Sequence, residues 1–152
     1  MQLELISGRD NDVLLGSRHE PVVVAGECAF QRCGLTSHLS NIIQAWTLRL
    51  ITSGIYNPIA MWYFSPFADK FFDTKPSIVH PNILEPTRER AIIEYIIFHD
   101  YFDEGILIEG LSNYLYENDD NPNKLFLEAE KFHCPKKLVD YWIKEAREDC
   151  EV

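Results

Sequence analysis

Between Leu84 and Asp100 the sequence runs LEPTRERAIIEYIIFHD. Ala91, Ile92, Ile93, Ile96 and Ile97 recur there at helical spacing and cover much of the circumference, so this helix is expected to be central and touched on several sides. Thr87 is placed to cap its N-terminus, and Pro86 keeps the helix from starting earlier. Glu89, Arg90, Ile93 and Ile96 are its structural positions. Glu94 lies inside the apolar run; a solvent-facing acid is the favoured reading over a buried partner of Arg90 at i−4. Downstream the pattern stays helical. Residues 104–116 put Ile106, Leu107, Leu111, Tyr114 and Leu115 on one face. ENDDNPN breaks the chain, with Pro122 at the first position of a helix reaching about Phe132 that presents Leu125, Ala129 and Phe132. Cys134-Pro135 is the next break. Residues 136–148 then give the cleanest amphipathic helix, with Leu138, Val139, Trp142, Ile143 and Ala146.

The first half reads differently. QLELIS, residues 2–7, alternates apolar and polar as a strand does, GRDND is turn chemistry, and residues 13–15 suggest a second short strand. PVVVA, residues 21–25, is a β-branched run suited to a buried strand. From Gly26 a short helix of about two turns is expected, with Gly34 at its C-terminus. Residues 42–50 and 58–64 look like antiparallel partners joined by the turn TSGIYNP. A helical turn is expected at 65–72, and an edge strand at 77–83 between Pro76 and Pro81. The pattern therefore predicts an α+β chain: a small antiparallel sheet lobe, residues 1–84, followed by an acidic C-terminal helical bundle of about four helices, residues 85–152.

Composition sharpens this division. A hydrophobic content of 46% with 12% aromatics supports a packed core in 152 residues. The net charge of −10 is unevenly spread: residues 1–84 hold seven acids and six bases, residues 85–152 seventeen acids and eight bases. The bases are scattered, which argues against nucleic acid as a partner of this chain alone. MQLELISGRD lacks a basic region followed by an apolar run, so no signal peptide is expected. No apolar stretch is long enough for a membrane span. Four cysteines without a secretory signal read as thiols in a reducing, cytoplasmic setting.

Chemistry is sparse. There is no phosphate loop, dinucleotide fingerprint, nucleophile elbow or HExxH. Cys28, Cys33 and His38, with His19 upstream, match no zinc spacing, and His133-Cys134 reads as a helix end. No catalytic residue, cofactor site or metal site is expected. Asp100, Asp103, Glu104 and Glu109 crowd acids around a helix start, and Trp62 sits in the aromatic run MWYF. These five residues are the candidates for binding a partner.

Two segments, in order, resemble one family. AFQRCGLTSHLSN, residues 29–41, resembles the "ALRYHGLTEQ" type of segment of AbiEi-like antitoxins of type IV toxin–antitoxin systems. EPTRERAIIEYI, residues 85–96, resembles their "SSPERALLDLL" segment, with Arg88 where the family has proline. The resemblance spans roughly residue 25 to the C-terminus. It implies a module that binds and neutralises a nucleotidyltransferase-like toxin encoded nearby. It also implies self-repression through an N-terminal winged helix-turn-helix, which the short strand-like stretch before residue 26 does not match. The expected function is thus an antitoxin-like, non-enzymatic interaction module with a basic protein partner. The alternative is a small ligand-binding protein or enzyme using a cleft between the lobes, with Asp100, Asp103 and Glu104 near its mouth.

Overall fold

The computed structural model describes residues 22–38, 43–47, 60–64, 73–78 and 81–150. The strands expected at 2–7 and 13–15 and the helical turn at 65–72 fall outside them. Two compact units emerge. The first holds the described residues up to 29 and from 43 to 86; the second holds 30–38 and 87–150. The fold is α+β, and the segment 30–38, which a linear division assigns to the strand-rich half, belongs with the helices.

In the first unit, β1 (Val22–Val24), β2 (Ile43–Thr47), β3 (Ala60–Phe64), β4 (Thr74–Pro76) and β5 (Ile83–Pro86) form one sheet in the order β3-β2-β1-β5-β4. The central strand β1 is three valines, all buried, as the β-branched run predicts. The sheet is mixed rather than antiparallel. β1 pairs antiparallel with β2 but parallel with β5, and β2 and β3 run parallel with Ala45 opposite Trp62. Parallel partners need a connection of about a dozen residues, and residues 48–59 provide that length, whereas a tight turn serves only antiparallel partners. The expected strand at 77–83 is also corrected. Residues 74–76 and 83–86 are the strands and pair antiparallel, while Pro81 and Asn82 form a turn between them. Proline chemistry inside the stretch marks the turn, and Pro76 lies on the edge strand, where its missing N–H is tolerated.

Helix α1 (Gly26–Arg32) follows β1 directly. Its opening turn is capped from β2: Gln44 Oε1 accepts from Glu27 N at 2.7 Å and Cys28 N at 3.4 Å. It ends as the glycine predicts. Leu35 N donates to Phe30 O at 2.8 Å around Gly34, whose φ is +72°.

The second unit contains α2 (Arg88–Ile97), a 3-10 turn (His99–Tyr101), α3 (Glu104–Glu117), α4 (Asn123–Lys131) and α5 (Lys136–Cys150). Thr87 caps α2, its side chain accepting from Arg90 N at 3.2 Å. Seven consecutive residues, Arg90 to Ile96, are buried, and α2 packs against α3, α4 and α5. That is the all-round burial its apolar run calls for. The faces expected of α3, α4 and α5 are also the buried ones, except that Leu138 is half-buried. Pro122 sits one position before α4 rather than at its first residue.

Glu94 is a correction. It is 2% exposed, and its Oε1 accepts from Arg90 Nε at 2.5 Å with Arg90 wholly buried. Seven successive buried positions leave no solvent face at Glu94, so the acid is kept inside with the base one turn back.

Within the second unit, Gly110 leaves room for the Phe30 ring against α3. A Cβ there would stand 2.4 Å from Phe30 Cε2, and Phe30 is fully buried with its ring centroid 4.5 Å from that of Tyr95. Gly110→Ala is therefore expected to destabilise by roughly 1–3 kcal/mol, despite alanine's better helix propensity. Chemical denaturation of this variant beside Phe30→Leu/Gly110→Ala, in which the smaller side chain relieves the overlap, checks the cause.

Candidate functional site

The acids expected to meet a partner fall on the junction between α2 and α3 and along α3. Asp100 is exposed, with Oδ1 3.2 Å from His99 Nε2. His99 Nδ1 lies 2.9 Å from Ile96 O, and because a carbonyl only accepts, Nδ1 carries the hydrogen. Asp103 caps α3, accepting from Ile106 N at 3.1 Å, and its carbonyl accepts from Tyr95 Oη at 2.6 Å. Glu104 is exposed in the first turn of α3, where an acid suits the helix dipole. Glu109 Oε1 accepts from Thr36 Oγ1 at 3.0 Å and Ser37 N at 3.3 Å. Asp103 and Glu109 thus hold the fold, while Asp100 and Glu104 present charge outward. Trp62 lies on β3, and its side chain is outside the described residues.

The two segments that suggest a family are brought together. Arg88 Nε donates to Cys33 O at 3.0 Å, Asn113 Nδ2 donates to Leu35 O at 2.8 Å, and Phe30 stacks on Tyr95. Arg88 also pairs with Glu117. Glu89, in the first turn of α2, lies near the buried Tyr114. Burial first, and then the Glu89 carboxylate, raise that phenol well above its ordinary pKa.

Seven acids and no Lys or Arg occur between residues 98 and 123. The only bases between 85 and 123, Arg88 and Arg90, are both in ion pairs within the unit. The fourteen residues of α3 span roughly 21 Å, so the charge forms two groups rather than one convergent site. Asp100, Asp103 and Glu104 stand at one end beside Tyr101, 71% exposed. Glu117, Asp119 and Asp120 stand at the other beside Tyr116, 88% exposed.

At that second end is a groove of about 500 Å³ lined by Ser112, Leu115, Tyr116, Asp119, Asp120, Ala146 and Arg147. Its rim is a fixed turn. Asp119 and Asp120 have φ of 55° and 60°, and Asp120 N donates to Leu115 O at 2.7 Å to close α3. Arg147 crosses to it, with Nε 3.0 Å from Asp120 Oδ1 and Nη2 3.4 Å from Asp120 O. ENDDNPN breaks the helix as expected, and its Asp119 and Asp120 also line this groove. The signal lay in the two aspartates following Tyr116 at a helix end.

Among the described residues no three His, Cys, Asp or Glu side chains are grouped to hold a metal ion, and no helix is long and apolar enough to cross a membrane. Cys28, Cys33 and Cys134 carry thiols rather than disulfides. No family model and no curated protein matches the sequence.

Proposed function

We propose that this chain is an antitoxin-like protein-interaction module whose acidic helical unit binds and neutralises a basic partner, a nucleotidyltransferase-like toxin. The observation that carries this reading is the acidity of residues 98–123: of its seven acids, Glu117 pairs with Arg88 and Asp120 with Arg147, while Asp100, Asp103, Glu104, Glu109 and Asp119 meet no Lys or Arg among the described residues. A field of one sign over a helical surface speeds encounter with a basic protein and disfavours acidic ones. The class of partner comes from the two ordered segments that resemble AbiEi-like antitoxins, residues 29–41 and 85–96. Both contribute to one unit, where Arg88 meets Cys33 and Phe30 meets Tyr95.

Co-expression with the product of the adjacent gene tests the reading. A growth-inhibiting basic protein is expected to be neutralised and to co-purify with this chain, in a complex that weakens as salt is raised. Failure to form a complex at low salt, or growth inhibition unrelieved by this chain, would overturn it.

A further inference from the structure

We propose that the groove between the C-terminal half of α3 and α5 seats an arginine side chain from a basic segment of a partner protein. This rests on the basic-partner reading and assigns the contact point. The groove offers the three things an arginine uses. Leu115, 5% exposed above the buried Ala146, gives an apolar floor for its methylene stem. Tyr116, 88% exposed, presents a ring face for the guanidinium. Asp119 supplies a carboxylate on the rim that no described side chain engages in an ion pair.

The resident pair shows the chemistry already at work there. Arg147 places a guanidinium on Asp120 through Nε and on the same residue's carbonyl through Nη2. A second guanidinium on Asp119 repeats that arrangement one residue earlier on a turn whose backbone is fixed by the bond from Asp120 N to Leu115 O. A planar fork is favoured over an ammonium because it can meet a carboxylate and lie on a tyrosine ring at once. Arg147 is also a competitor: its charge opposes an incoming cation and occupies Asp120.

Fluorescence anisotropy of the full chain with labelled hexa-arginine, hexa-lysine and hexa-glutamate peptides tests the assignment. Hexa-arginine is expected to bind most tightly and hexa-glutamate not at all. Asp119→Asn keeps a side chain that tolerates the left-handed backbone, and Tyr116→Ala changes an exposed helix position; melting curves confirm that both remain folded. Each is expected to weaken hexa-arginine binding by about threefold or more. Asp140→Asn makes the same charge change at an exposed α5 residue outside the groove and is expected to change binding by less than about twofold. Arg147→Ala is expected to tighten binding by releasing Asp120. Equal weakening by Asp119→Asn and Asp140→Asn, or weaker binding by Arg147→Ala, would overturn the groove while leaving the basic-partner reading in place. Hexa-lysine binding as tightly as hexa-arginine would overturn the arginine assignment. Absence of hexa-arginine binding to the unaltered chain at low salt would overturn both the groove and the reading beneath it.

Discussion

Arg90→Ala is expected to cost roughly 3–5 kcal/mol, enough to leave much of the chain unfolded against a typical total stability of about 5–15 kcal/mol. The reason is the carboxylate it leaves behind. Glu94 is 2% exposed and accepts from Arg90 Nε at 2.5 Å, so removing the base takes a bonded guanidinium away from a buried acid. Arg90→Lys is expected to cost more than about 1 kcal/mol as well. An ammonium cannot reproduce the Nε contact, nor the placement of the guanidinium over the Phe132 ring, 5.3 Å from its centroid. The pair itself contributes little net stability, because both charges lose their hydration. Arg90→Met/Glu94→Leu is therefore expected to recover most of the loss and to lie within about 2 kcal/mol of the unaltered chain. Urea denaturation of the three variants separates the cases. If Arg90→Ala and the double variant are equally unstable, lost packing rather than a stranded charge is the cause.

The helical half was legible because its signals are local. Thr87, Gly34 and the apolar spacings of α3, α4 and α5 act within a turn or two of themselves, and each does what its chemistry predicts. What failed depends on partners distant in sequence. The parallel run of β2 beside β3 is decided by which strands neighbour each other across the sheet, and alternating side chains look the same in either direction. The stretch 77–83 holds β-branched residues between two prolines, yet Pro81 and Asn82 set a turn that residues 74–76 and 83–86 complete from outside it. Glu94 is the instructive case. Charge alone favoured solvent, but the neighbours Ile92, Ile93, Tyr95 and Ile96 are all fully buried, which leaves the acid no route out. The surface site was half-legible. Acids at a helix start stand out as a cluster, although Asp103 caps α3 and Glu109 accepts from Thr36 and Ser37. The acids at the other end of α3 were masked by their resemblance to ordinary turn chemistry.

Ile93→Ala and Ile96→Ala are each expected to destabilise by roughly 2–5 kcal/mol, through lost transfer energy plus the cavity left behind. Both side chains are fully buried on α2, which packs against three other helices of its unit. A cavity there is bounded by several elements at once, so no single one can move to fill it. Ile97, half-buried at the end of the same helix, is the internal control. Ile97→Ala removes the same atoms from a site that water already reaches in part, and is expected to cost less than either. The pattern distinguishes a helix at the centre of the unit from one lying across its surface. If Ile93→Ala and Ile96→Ala both fall within about 0.5 kcal/mol of the unaltered chain, α2 does not organise the unit. A graded result, with Ile96 and Ile93 large and Ile97 small, places the loss in packing rather than in helix propensity, because isoleucine to alanine raises propensity at all three positions alike.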